Sequence, residues 1–296
     1  MNTQEQYTTP ASVFDEYLAN KRNDAVVVAA LPENEYHAET RFISKHMLDL
    51  IADSPEKFHA AMTSTEEREA TPSMILGSAF HCLVLEPERF NARFCVKPED
   101  MDRRTKAGKE AFEKWSAENV GKEVLTAEQR ETLNGLKASF FAHPLVAELW
   151  KSQGISELTV SARDENTGIP LKCRVDRIFP KMKIAVDVKT AASARPDEFS
   201  RAIANFRYDV QAAFYRDLLE KTDGEAWNFI FIATETKAPF STAVYQISEW
   251  LPLGAACYRR DLDTLAKCMK TGEWRGYEVA DDELPMPKWL SANRGF

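Results

Sequence analysis

Glu157, Asp176 and Asp187 lie in three consecutive short segments, and Asp187 is followed by Val188 and Lys189. Carboxylates brought within a few ångströms of each other repel unless a cation lies among them or water solvates them. A ligand set of oxygen alone suits Mg²⁺ or Mn²⁺ and not Zn²⁺. A lysine two residues beyond an aspartate lies on the same face of a strand, where it positions or deprotonates a water and stabilises developing negative charge. A solvated outer sheet face would carry the same residue types, so the weight of the pattern depends on the elements that hold it.

Residues 157–163, 169–179 and 183–190 alternate in the manner of strands, and DENTG and PKMK between them are turn sequences, which predicts a three-stranded antiparallel meander. Sorted by the period of two, Leu158 and Val160 oppose Glu157, Thr159 and Ser161. Leu171, Cys173 and Val175 oppose Lys172, Arg174 and Asp176, and Ile184, Val186 and Val188 oppose Asp187 and Lys189. Each strand is thus expected to have one apolar face and one face bearing a carboxylate, with the three carboxylates converging. Upstream the chain reads as helical. Ser44 is a helix N-cap, Pro55 and Pro72 stand at first helical positions, and Thr126 with Gln129 has capping-box spacing. Downstream, a helical stretch with Pro196 early breaks near Tyr208. Residues 227–234 are apolar on both faces like an interior strand, 241–248 form another strand, and a last helix ends before Gly272. The expected fold class is α/β, a mixed central sheet flanked by helices with a helical N-terminal part.

The chain has 296 residues, 44% hydrophobic and 28% charged, which are globular values that exclude disordered and collagen-like classes. Its longest apolar run, AVVVAAL at 25–31, falls far short of the roughly 20 residues that span a bilayer, and the N-terminal residues show no secretory pattern. Five scattered cysteines without a CxxC motif fit reduced thiols, and a cytoplasmic location is expected. A net charge of −8 counts against a protein that coats nucleic acid with its whole surface, but leaves room for a local basic groove.

Asp176 followed by Asp187-Val188-Lys189 has the split acid…(D/E)-x-K form of the restriction-endonuclease-like, PD-(D/E)xK nucleases. GSAFHCLVLEPERF (77–90), RRTKAGKE (103–110), DENTGIPLKCRVDRI (164–178), DVKT (187–190) and YDVQAAFY (208–215) add several blocks in order. Together they resemble the RecE-type exonucleases, the nuclease domain of exonuclease VIII, related to lambda exonuclease. The resemblance covers 35–289, implying an N-terminal extension at 1–34 and an exonuclease domain over 35–296. It implies that Asp176, Asp187 and the Val188 carbonyl hold metal, with His81 ligating or supporting a second ion and Glu157 assisting. Lys189 would orient or activate the attacking water, and Gln211 and Tyr215, one helical turn apart, would face the metals or the scissile phosphate. Val175 stands where the motif has proline, a position that shapes backbone and supplies no ligand.

The resemblance further implies 5′→3′ degradation of linear double-stranded DNA with Mg²⁺, two ions per site, Mn²⁺ substituting. The product would be a 3′ single strand for an annealing protein of the RecT kind. A closed ring, a tetramer by analogy, is expected, and no membrane partner. Arg103, Arg104, Lys106 and Lys109 are candidate phosphate contacts near the site entrance, and Ser44 and Lys45 at a helix N-terminus are weaker ones. Two alternatives remain open, a related PD-(D/E)xK nuclease with single-strand or endonucleolytic activity and an inert DNA-binding scaffold. An iron–sulfur single-strand nuclease would need three clustered cysteines after the core, where the sequence has only Cys257 and Cys268. An inert DNA-binding scaffold would have no chemical need for Asp176, Asp187 and Lys189 together.

Overall fold

The alternation of apolar residues in the second half of the chain builds a six-stranded sheet, mostly antiparallel, in the order β1-β4-β5-β6-β7-β8. The computed structural model describes residue 17 and residues 25–28, 31–64, 70–98 and 104–277. Strand β1 is Val26–Val28, β4 Ile155–Arg163, β5 Pro170–Phe179, β6 Ile184–Ala191, β7 Asn228–Glu235 and β8 Thr242–Gln246. The meander β4–β5–β6 forms as the turn sequences predict, and β6 then pairs in parallel with β7. The crossover between those two is a pair of helices, α9 (Pro196–Asn205) and α10 (Tyr208–Asp223), that break at Phe206-Arg207.

The helices that precede β4 are α1 (Glu33–Ala38), α2 (Lys45–Asp53), α3 (Pro55–Thr63), α4 (Pro72–Leu85), α5 (Phe90–Arg93), α6 (Lys106–Glu118), α7 (Ala127–Ala142) and α8 (Pro144–Lys151). Their starts follow capping chemistry: Ser54 and Thr71 accept from the third residue on, with proline at the first position of α3 and α4. The Thr126–Gln129 capping box forms in both directions, at 3.0 and 2.9 Å. The charged stretch after residue 97 does lead into a helix, α6, none of whose residues is buried. Two short strands that the pattern did not suggest, β2 (Phe94–Val96) and β3 (Glu123–Leu125), flank it and pair in parallel. At three residues each they are too short for alternation to register.

Along its central strands the sheet is covered on both faces. One face, with Ile155, Leu158, Val160, Cys173, Val175, Ala185 and Phe231, packs on α10 and on α11 (Leu251–Thr271). The other, with Phe179, Val186, Val188, Ile230 and Ile232, packs on α4, α7 and α8. Gly254 of α11 lets that helix touch α10: a Cβ there would overlap the Asp209 carbonyl. Among the described residues no helix is long and apolar enough to cross a membrane.

Candidate active site

Strand alternation slips by one residue where the acids sit. Ile155 and Leu158 of β4 enter the same core, and so do Val175 and Ile178 of β5, although residues three apart on a regular strand face opposite ways. The β4–β5 ladder runs Ser156↔Arg177 then Leu158↔Val175, so the slip falls at Glu157 and Asp176. Glu157 carries a φ of 52°, a left-handed conformation that costs a non-glycine residue about 1–3 kcal/mol and that clusters at functional sites. Each strand carries one residue between these two pairs, so the register is kept while the ladder is interrupted, and both acids lie toward α4, which carries His81. His81, Glu157 and Asp176 offer donor atoms that all lie within 4.8 Å of one another, and His81 Nδ1 stands 3.6 Å from Asp176 Oδ2.

Asp187 lies toward the other face of the sheet, which corrects the expectation of one shared carboxylate face. Val186 and Val188 point to α4 and α7, and Asp187 and Lys189 therefore point toward α10. Convergence comes from a fork instead: β5 and β6 pair only over Arg177–Phe179 and Ile184–Val186, then part. Asp176 closes the fork by accepting the Val188 N–H at 2.7 Å. On the α10 side, Gln211 donates from its amide to Asp187 Oδ2 and accepts from the Lys189 ammonium at 3.1 Å. Lys189 Nζ is 2.6 Å from Asp187 Oδ1 and 4.6 Å from the centre of the Tyr208 ring.

Electrostatics reflect this crowding. Burial, reinforced by the neighbouring Asp187, pushes the Asp176 carboxyl up to about 6 against the opposing pull of His81, Lys189 and the Val188 N–H. Burial pulls Lys189 down, but the fields of Asp187 and Asp176 outweigh it and leave the ammonium more basic than usual. Asp187 Oδ1 is buried against the Lys189 ammonium. Two mutually repelling carboxylates, with Glu157 and an imidazole within reach of one of them, fit a divalent cation. Asp176 belongs to the donor set with His81 and Glu157 and feels the charge of Asp187.

A cleft of about 860 Å³ opens over the cluster, lined by His81, Glu157, Asp176 and Tyr215 and by the cations Arg89, Arg93 and Arg174. Of the residues singled out in the sequence, Glu157, Asp176, Asp187, Val188, Lys189, His81, Gln211 and Tyr215 meet at the fork or its cleft. Gln211 touches Asp187 and Lys189, so Gln211→Ala is expected to weaken metal affinity about 10–100-fold by releasing their orientation; calorimetric titration with Mn²⁺ measures it.

The other candidates are placed elsewhere. Arg104, Lys106 and Lys109 are exposed at the start of α6 and do not line the cleft, and Arg103 lies outside the described residues. Ser44 caps α2, its hydroxyl accepting from the Met47 N–H at 3.5 Å. Lys45 is spent on Asp49 and the Phe206 carbonyl, both at 2.7 Å. Arg174 was overlooked as a site residue although its alternation put it beside Asp176: its Nε is 3.3 Å from Glu157 Oε2, and it also donates to the Leu31 carbonyl. Arg89 and Arg93 had no local signal, being brought over the cleft by the turn after α4.

Residues 44–281 match the family model described as a PDDEXK-like domain of unknown function, DUF3799. The chain belongs to this family. The matched residues include the fork where Asp176, Asp187 and Lys189 meet. A candidate exonuclease from Eubacterium rectale shares the fold, with a TM-score of 0.58 at 15% identity over 90% of this chain and 98% of that one. A phage-related exonuclease from Haemophilus somnus 129PT aligns at 13% identity over 60% of this chain and 92% of that one, with a TM-score of 0.30, a level that does not define a shared fold. No curated protein matches the chain.

Proposed function

We propose that this PDDEXK-like chain is a divalent-metal-dependent exodeoxyribonuclease that resects linear double-stranded DNA 5′→3′. The observation that carries the reading is the convergence of Asp176, Asp187 and Lys189 at the β5–β6 fork with His81 and Glu157 beside them. Asp176 and Asp187 would hold one ion, with the Val188 carbonyl, and His81, Glu157 and Asp176 a second. Mg²⁺, with Mn²⁺ as substitute, supplies charge stabilisation at the phosphate and a more acidic bound water. The chain's own part is to hold and orient. In the hydrolysis, a water oxygen bonds to phosphorus, the bond from phosphorus to the 3′ oxygen breaks, the water releases its proton, and the departing oxygen takes one from solvent. Lys189, an ammonium in this field, steadies the negative charge that builds on the phosphate oxygens and orients the water. Gln211 fixes Lys189 and Asp187 relative to each other, and Arg174 fixes Glu157.

Polarity, duplex preference, a ring assembly and an annealing partner of the RecT kind belong to the same proposal and are supported by the RecE-type sequence blocks. The E. rectale neighbour, itself described as a candidate exonuclease, supports end-directed cutting. The test is incubation of end-labelled linear and closed circular duplexes with Mg²⁺, Ca²⁺ or EDTA. Digestion of the linear form from its 5′ ends in Mg²⁺ alone is the expected result. Efficient cutting of closed circles, or undiminished cutting in EDTA, would sink the reading.

A further inference from the structure

The break between α9 and α10 leaves one aromatic ring open to solvent beside the catalytic lysine. Phe206 is 60% exposed. A scattered exposed phenylalanine needs no explanation, but this one is unusually well fixed. Its N–H donates to the Ala202 carbonyl at 2.9 Å and its carbonyl accepts from Lys45 at 2.7 Å. The next residue, Arg207, takes a φ of 53°, and its guanidinium is tied to Asp261, to Asp49 at 3.4 Å and to the Leu48 carbonyl at 3.5 Å. A left-handed residue anchored to two other helices holds the preceding ring in one direction.

That direction is set by a stack. The Phe206 ring lies on Tyr208, centroids 5.5 Å apart and planes 28° apart, and Tyr208 lies on Phe231 of β7 at 5.6 Å and 30°. The Lys189 ammonium sits over the same two inner rings, at 4.6 Å from Tyr208 and 5.9 Å from Phe231. Three rings therefore climb from the sheet past Lys189 to the surface, and the last presents a free face with the Lys45 ammonium at its backbone. An exposed aromatic face of this kind is what a nucleobase stacks on. The cleft with its arginines lies on the His81 side of the fork, so this platform sits on the opposite side of the acids.

We propose that Phe206 stacks on the base of a nucleotide adjoining the scissile phosphate, so that the strand being cut is held unstacked from its neighbours as it crosses the fork. This rests on the nuclease reading above and adds to it a residue that receives the base. Stacking of this kind has no sequence preference, because every base has a π-face.

The probe is a short oligothymidylate carrying 2-aminopurine at its 5′ end, bound in Ca²⁺, in which binding without cutting is expected. Binding to the unaltered protein is expected to quench the 2-aminopurine. Phe206→Ala should abolish the quench and weaken binding roughly 5- to 150-fold, with only a small fall in melting temperature from the lost stack on Tyr208. Phe206→Trp should restore both quench and affinity, which loss of a merely structural contact would not predict. An alanine variant that quenches and binds like the unaltered protein, while both digest linear duplex in Mg²⁺, overturns the stacking role and leaves the nuclease reading intact. An unaltered protein that neither binds the probe nor digests duplex overturns both.

Discussion

Lys189→Ala is expected to lower the single-turnover rate of DNA hydrolysis by about 10²–10³-fold, the range for removal of a preorganised group that stabilises transition-state charge. The fields of Asp187 and Asp176 raise the Lys189 ammonium above its ordinary value despite its burial, which favours the charged form in the metal-free protein. The same substitution should also cost stability. Asp187 is buried, its Oδ1 has Lys189 at 2.6 Å, and removing one partner of a buried ion pair costs about 3–5 kcal/mol. That loss is expected in EDTA as a lower melting temperature and should shrink when Mg²⁺ is added, because a bound cation takes over the charge compensation. Rapid-quench kinetics at saturating enzyme and thermal melts with and without metal measure the two effects. A near-normal single-turnover rate would remove Lys189 from the chemistry.

The meander was legible in sequence because its turns, DENTG and PKMK, and its alternation are local signals, and they fall where β4, β5 and β6 form. The break near Tyr208 was legible for the same reason. The way the acids meet was not. A period of two assigns Glu157, Asp176 and Asp187 to faces only while the strand stays regular, and here the phase slips at Glu157 and Asp176. The fork between β5 and β6 is a property of pairing between strands, which no single strand encodes. The surroundings of Lys189 depend on contacts still further apart in sequence: Lys45 reaches Phe206 across 161 residues, and Arg207 reaches Asp261 across 54. Charge patterning showed the run at 103–109 more clearly than the cleft arginines, since four cations together stand out in sequence while Arg89, Arg93 and Arg174 are gathered only by folding.

Asp176→Asn is expected to abolish metal-dependent cutting while making the metal-free protein more stable at pH 8. The Asp176 carboxyl, pushed up to about 6 by burial and by Asp187, prefers to be protonated in the folded state, whereas in the unfolded chain it ionises near the ordinary value of about 3.9. Its contribution to stability is therefore fully present below about pH 4 and is lost as the pH rises through about 6, a difference on the order of 2–3 kcal/mol. Asparagine keeps an oxygen for the Val188 N–H and carries no charge to repel Asp187, so in EDTA its advantage should appear above pH 6 and vanish below pH 4. Added Mg²⁺ reverses the order at pH 8. The unaltered protein gains stability from binding the ion, and the variant, lacking the Asp176 carboxylate, gains little. Metal binding to the unaltered protein should strengthen through the same interval near pH 6, since the carboxyl must lose its proton to act as a ligand. Thermal melts across pH, with EDTA and with Mg²⁺, read all of this from one pair of proteins. A variant less stable than the unaltered protein in EDTA at pH 8 would make Asp176 a partner in a structural ion pair with His81 and Lys189, and would take away the charge imbalance on which a cation at the fork depends.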